Sequence, residues 1–570
     1  MTDSIRYDRR SFMEYFLSIG LGSTLLPGVL WGRIADGEEI TVQTIACAEE
    51  LAGLHFDEAQ RELMVEGMKN QAKQLDLLHE QKLPNGVAPA LIFNPLLPGE
   101  TVRSARGRTV RSKVPARAMP SALDELAFLP VTELSELVRR RKVTSLQLTT
   151  MYIARIKKYD PVLRCVTALT EERALTAAKA ADSEIARGKY RGPLHGIPWG
   201  AKDLLSARGY PTTWGTAPYR DQVIDEDATV VQRLDAAGAV LVAKLTLGEV
   251  AQGDTWYGGM TRNPWKTEQG SSGSSAGPAS ATVAGLVGFA IGSETLGSIS
   301  SPATRTGATG LRPTFGRVPR TGAMALSWSM DKLGPICRSV EDCALVLGAI
   351  HGPDGKDATV HDVPFTWNAA LSPRSLRVGY LKSWFDSDHE TKKFDAAALE
   401  VLQGKLGLTL TPTELPDLPW PAMRPILITE AAAAFDELTR SGRDKQMAQQ
   451  GKGAWPNAWR IAHFIPAPDY VNANRVRTLA MQAMAKLMKR VDVIVTPTGA
   501  GQGAQSLQQL LLTNLTGHPA VILPNGFRDD GTPVSLTFLG GLFQEGPLMA
   551  VAHAYQQATD FHLKHPALTV

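Results

Sequence analysis

The sequence predicts an α/β fold, a sheet covered by helices on both faces, and three observations carry that expectation. From about Leu126 onward, short apolar runs such as "AVLVAKL" and "VDVIVTPT" read as buried strands. Helix-period stretches alternate with them, and "VTELSELVRRRKVTSLQLTTMYIARIKKYD" reads as two helices. Strands interleaved with helices bury both faces of the sheet they form. The composition, 44% hydrophobic and 21% charged over 570 residues, is that of a globular chain large enough for more than one small core.

Taken in order, the chain opens with "RYDRRSFMEYFLSIGLGSTLLPGVLWG", in which Arg9 and Arg10 precede an apolar run from Phe16 to Trp31. That order is the order of a bacterial twin-arginine export signal. The run is interrupted by Pro27 and falls short of the ~20 apolar residues of a membrane-spanning helix. Residues 1–35 are therefore expected to be an export signal or N-terminal anchor, the sole point of membrane contact. With the signal in use the protein is periplasmic or exported; without it, cytoplasmic.

Residues 36–100 form the expected helical extension, with Leu51, Leu54, Phe56, Leu63, Met64 and Met68 at helical spacing. Residues 101–124 follow as a basic linker, where "TVRSARGRTVRSKVPAR" holds Arg103, Arg106, Arg108, Arg111, Lys113 and Arg117 and no acid. A basic run without interleaved aromatics reads as a solvated connector rather than a nucleic-acid site. The net charge of +3 likewise calls for neither nucleic acid nor an anionic membrane. Residues 125–565 are left as the catalytic domain.

Cys47, Cys165, Cys337 and Cys343 are scattered without CxxC spacing, and there is no HExxH pair. No metal, no cofactor and no disulfide framework is expected. Hydrolytic chemistry without a metal needs an activated nucleophile, because a serine hydroxyl is inert until a base takes its proton. The serine-rich stretch "GSSGSSAG", Gly270 to Gly277, satisfies G-x-S-x-G with Ser275 at its centre. A nucleophile elbow must follow a buried strand, yet "TRNPWKTEQG" before it is polar and broken by Pro264. A second arrangement suits the chemistry better: Lys202 in "HGIPWGAKDLL" and Ser298 in "GSETLGSIS". Burial strips a lysine of its charge and makes it a base near neutral pH, so a Lys-Ser pair can replace Ser-His-Asp. Spacing alone does not bring the two residues together.

Four stretches, "GPLHGIPWGAKDLL", "TRNPWKTEQGSSGSSAGPASATVAGLVGFAIGSETLGSISSPATRTGATGLRPTFGRVPR", "SMDKLGPICRSVEDCALVL" and "NLTGHPAVILPNGF", resemble the amidase signature family in that order. The likeness spans roughly residues 125 to 565. It implies a central mixed, twisted β-sheet under helices, and a Ser-Ser-Lys relay. The family's lysine falls on Lys202, its bridging serine, borne on a cis peptide, on Ser274, and its nucleophile on Ser298. Backbone N–H groups of Thr295, Leu296, Gly297 and Ser298 are then the oxyanion donors. The chain departs from the family pattern at Glu294 (Asp), Leu296 (Gly) and Ser300 (Arg), and at Ser272 and Ala276 around the serine stretch. Arg305 is the candidate to replace the missing arginine.

On this reading Ser298 forms an acyl-enzyme from a small, fairly hydrophobic amide, with esters, anilides or carbamates as further substrates. The expected partner is that small molecule alone. The alternative is a glutaminase-type amidotransferase subunit that supplies ammonia to a partner enzyme. His195, His518 and Asp203 are expected to be structural, and Trp199, Trp256 and Tyr257 to pack or line the acyl pocket. Further pocket walls are expected from loops at Thr366 to Asp395 and Leu418 to Tyr470. The oligomeric state is not read from the sequence.

Overall fold

The computed structural model describes residues 40–52, 54–80, 83–100, 102, 107–114, 119–498 and 504–569. Residues 1–35, where the export signal is expected, lie outside the described residues. So do Arg103, Arg106 and Arg117 of the basic linker.

An eleven-stranded mixed sheet organises the chain. Its strands are β1 (Val166–Leu169), β2 (Pro198–Lys202), β3 (Val240–Leu245), β4 (Phe289–Glu294), β5 (Thr309–Arg312) and β6 (Lys332–Cys337), then β7 (Val378–Leu381), β8 (Leu410–Thr413), β9 (Val493–Pro497), β10 (Ala520–Phe527) and β11 (Pro533–Gly540). Across the sheet the order is β1-β3-β2-β4-β6-β5-β10-β11-β9-β7-β8. The β3-β2-β4 and β9-β7-β8 neighbours are parallel, and the remaining pairs are antiparallel.

Burial along these strands has a period of two, and both faces are apolar. Val493 and Val495 of β9 and Val521 and Leu523 of β10 join one core cluster, while Ile494, Ala520 and Ile522 join another. Helices Val340–Ile350 and Glu545–Thr559 cover the first face; Ser300–Thr306 and Ala467–Met488 cover the second. The two-sided α/β expectation holds for this reason. "AVLVAKL" and "VDVIVTPT" are β3 and β9, and the expected helix pair is Val131–Arg139 and Ser145–Leu163. Thr144 starts the second helix, its side chain accepting from Gln147 N while Gln147 reaches back.

The N-terminal extension contains two helices, Val42–Ala52 and Glu58–His79. Ile40, Ile45 and Ala72 form their small core with Met64 and Met68 against it. Leu63, expected among the apolar anchors, is 85% exposed, because a helix pair offers each helix only one covering partner. The segment after the pair lies on the catalytic domain. Phe93 stacks edge-on against Phe315 with ring centroids 5.1 Å apart, and the Arg477 guanidinium sits 3.4 Å from the Phe93 centroid. Farther on, Val110 N donates to Trp367 O, and Ala369 N donates back to Val110 O.

Candidate active site

Two neighbouring strands of the central sheet and the serine-rich loop beside them converge on one buried amine. Lys202 ends β2, a strand buried at every position and flanked on both sides by parallel neighbours. Its side chain is fully buried. Ser293 stands near the end of β4, and Ser274 and Ser275 sit where "GSSGSSAG" enters the helix Ala276–Val283. Nζ of Lys202 lies 2.8 Å from Ser274 Oγ, 3.0 Å from Ser275 Oγ and 2.9 Å from Ser293 Oγ.

Burial drives the Lys202 amine well below the usual lysine range, and the nearby charges of Asp331 and Glu294 only partly oppose it. A neutral amine has two N–H donors and one lone pair, so with three hydroxyls around it one hydroxyl must donate to it. Ser275 is not that hydroxyl. Its Oγ donates to Ser293 O at 3.1 Å and accepts from Ser293 N at 3.1 Å, so its proton is committed to the backbone. The proton that can reach the lone pair belongs to Ser274 or Ser293.

The serine stretch is shaped by close backbone approach. A Cβ on Gly273 would stand 1.8 Å from Gly253 O, so only glycine fits beside that carbonyl. The peptide bond from Gly273 to Ser274 is cis, as the family likeness implies. Ser275 N donates to Ser298 O at 3.0 Å, which ties this stretch to the loop after β4. Ser298 is 7% exposed against 1% for Ser274 and none for Ser275, and is thus the most accessible of the three.

Glu294 holds that loop. Its Oε2 accepts from Ile299 N, Ser300 N and Ser300 Oγ at 2.9, 2.8 and 2.8 Å, and its Oε1 accepts from Arg312 Nη1 at 2.8 Å and Asn514 Nδ2 at 2.9 Å. Burial on its own would raise this carboxyl, but the Arg312 charge and these hydrogen bonds hold it at about 2. The guanidinium that reaches the site is Arg312 of β5, not Arg305. Gly297 takes φ +86° in the turn, a left-handed conformation that favours glycine. Among the described residues, the backbone N–H groups of Thr295, Leu296, Gly297 and Ser298 donate to no protein acceptor.

The other singled-out residues are engaged elsewhere. Asp203 pairs with Lys244 at 2.7 Å, both fully buried, and accepts from Thr213, so it does not hold Lys202 charged. His518 Nδ1 lies 2.8 Å from Thr516 Oγ1, and burial lowers its pKa to about 3. His195 Nδ1 accepts from Arg191 N at 3.0 Å, with Glu184 at 3.4 Å from its other ring nitrogen. Among the described residues no group of side chains is arranged to hold a metal ion, and no helix is long and apolar enough to cross a membrane.

A cavity of about 960 Å³ opens beside the site, lined by Ser293, Thr295 and Asp331. Its apolar walls include Trp214 and Phe435, whereas Trp199 stacks on Phe289 within the core and Trp256 packs edge-on against Tyr257. The loops of 366–395 contribute nothing to the lining, and 418–470 contributes Ala434, Phe435 and Glu437. Further walls come from residues 320–326 and 356–359 and from residues 83–92 of the N-terminal extension, the last of which sequence reasoning left without a role.

The pattern of the Amidase family matches residues 147–549. The chain belongs to the amidase family, the amidase signature enzymes, and is an enzyme acting on carbon–nitrogen bonds. It is similar to a glutamyl-tRNA(Gln) amidotransferase subunit from Moorella thermoacetica, 35% identical over 487 residues that cover 78% of this chain and all of that one. The protein of the same name from Methylococcus capsulatus is 36% identical, covering 77% and 98%. Among solved structures, the peptide amidase of Stenotrophomonas maltophilia superposes with a TM-score of 0.67 at 31% identity, covering 77% of this chain and 98% of that one.

These findings correct two expectations. Hydrolysis of a small, fairly hydrophobic amide gives way, because relatives matched over essentially their whole length are named as an amidotransferase subunit. The expectation of a small molecule as sole partner, with no nucleic acid, falls with it, since the same name carries a tRNA and the word subunit. The relatives favour the alternative that the sequence left open, an amidotransferase subunit. Residue types alone did not decide between the two, because a Ser-Ser-Lys arrangement suits any amide and a partner surface has no motif of its own.

Proposed function

We propose that the protein is the carboxamide-cleaving subunit of an amidotransferase that takes a glutamine-type donor and delivers ammonia to a partner acting on an aminoacyl-tRNA. The observation that carries this reading is the agreement of full-length relatives on that one name at 35% and 36% identity.

Lys202, Ser274 and Ser298 supply the chemistry. Ser298 Oγ attacks the carboxamide carbon as its proton passes to Ser274 Oγ, and the Ser274 proton passes to the Lys202 lone pair. The oxyanion forms against the N–H groups of Thr295, Leu296, Gly297 and Ser298, donors each worth about 10²–10³ in rate when fixed beforehand. Protons then return along the chain to the nitrogen, the C–N bond breaks, and ammonia leaves an ester on Ser298. Water attacks that ester by the same route and frees the acid and the serine. An amine leaves poorly unless protonated, so one chain of groups serves first as base and then as acid.

The test is to incubate the purified protein with glutamine and measure ammonia and glutamate, alone and with the proteins that co-purify with it. Equimolar release that rises with a co-purifying partner is expected. A protein that releases no ammonia from glutamine under either condition, while Ser298 still accepts a serine-directed fluorophosphonate, would overturn the reading.

A further inference from the structure

Residues 83–92 precede the family match at 147–549, yet they form one side of the cavity beside the relay. Asn85 fastens this strap across the opening. Its Nδ2 donates to Ala325 O at 2.8 Å and Ala434 O at 3.3 Å, and its Oδ1 accepts from Ala325 N at 2.8 Å. One side chain thus bridges the two walls that stand on either side of the strap. Downstream, Phe93 is clamped between Phe315 and the Arg477 guanidinium, so the strap is held at both ends.

What the strap presents is apolar and uncovered. Leu83, Leu91 and Ile92 line the cavity and remain 67%, 78% and 56% exposed. Trp214 and Phe435 line the same space, with ring centroids 6.0 Å apart. A volume of about 960 Å³ stands at the upper end of the ~300–1,000 Å³ that holds drug-sized ligands. A donor no larger than free glutamine fills only a fraction of such a volume.

We infer that the strap 83–92 forms a distal subsite for an apolar group carried by the carboxamide donor, with Asn85 as the residue that positions it. The inference rests on the carboxamide-donor reading and narrows it: the preferred donor is a glutamine-type carboxamide on a larger, partly apolar body, such as a glutamine with an apolar N-acyl group. Leu91 and Ile92 contact that group; Asn85 acts through the strap and touches no reacting atom.

Protection of Ser298 from fluorophosphonate labelling tests this, with glutamine and N-benzyloxycarbonyl-glutamine as competitors and the labelling rate of each protein without competitor as its own reference. In the wild-type protein the acylated compound should protect at a concentration about tenfold lower than glutamine. Asn85→Ala and Leu91→Ser should each shrink that ratio toward one. Leu91 is exposed, so its substitution leaves the fold intact even if Asn85→Ala does not. Equal protection by both compounds in the wild type, or a preference that survives both substitutions, overturns the strap subsite alone. If neither compound protects a Ser298 that still labels, the carboxamide-donor reading falls, and the inference falls with it.

Discussion

Lys202 Nζ lies 2.8 Å from Ser274 Oγ, with both side chains closed off from water and, among the described residues, no carboxylate paired with the amine. An unpaired ammonium is costly to bury, so the group is held neutral, and a neutral amine accepts a proton. Asp203, next in sequence, is already spent on Lys244, which keeps the amine free of a counter-ion. Lys202→Ala should therefore cost about 10²–10⁴ in kcat/KM, the usual worth of a general base, as measured by ammonia release. A loss of less than about tenfold would point to another base.

The same neutrality sets the pH profile. Because burial lowers the Lys202 pKa, the base is present above that lowered value and lost as pH falls through it. kcat/KM should decline on the acid side with a single-proton slope. For stability the sign is the same: the unfolded lysine is charged below its ordinary value of 10.5 while the folded one is neutral, so this residue opposes folding more strongly as pH falls toward the lowered value. An acid limb unchanged in Lys202→Ala would contradict the assignment.

Ser275 and Ser298 separate structure from chemistry. Ser275→Ala strands the buried Ser293 N–H and should lower stability by about 1–3 kcal/mol in denaturant unfolding. Ser298→Ala removes a hydroxyl from a residue that is 7% exposed, and should leave stability nearly unchanged while abolishing turnover. A stable Ser275→Ala protein with no labelling at Ser298 would reverse the two roles.

Glu294 and Arg312 form a fully buried ion pair at 2.8 Å. Glu294→Ala leaves the guanidinium without its counter-charge and frees Ile299 N and Ser300 N, a change expected to cost about 3–5 kcal/mol. The carboxyl is held at about 2 against an ordinary 4.5, so its stabilising contribution is full above 4.5 and is lost as pH falls toward 2. Acid titration of the unfolding free energy should show that window in the wild type and lose this component in Glu294→Gln.

An aminoacyl-tRNA partner works in the cytoplasm, whereas Arg9 and Arg10 head a run that resembles an export signal. Cell fractionation should recover the chain in the cytoplasmic fraction. Recovery in the periplasm alone would remove the tRNA-linked partner from the account.

Much of this was legible because chemistry constrains the central residues tightly. β3 and β9 are short, largely apolar runs, and strands buried on both faces need no alternation to be seen. Lys202, Ser274 and Ser298 stand out because the likeness fixes each by its motif. Arg312 was not legible: an arginine inside a buried strand announces a counter-ion without saying which, and its partner Glu294 lies eighteen residues earlier. The strap was hidden for a different reason. Asn85 binds Ala325 and Ala434 through their backbones, and such contacts, hundreds of residues apart in sequence, leave no trace in residue types. Leu63 misled because helical spacing marks a face and not whether anything covers it.

Mapping the serine that carries the acyl group tests the central claim most directly. The protein is incubated with a serine-directed fluorophosphonate, digested, and the adduct located by mass spectrometry. One adduct is expected, on Ser298, that disappears in Ser298→Ala and forms far more slowly in Lys202→Ala. An adduct on Ser275 or Ser274, or a Ser298 adduct that forms at the same rate without Lys202, would contradict it.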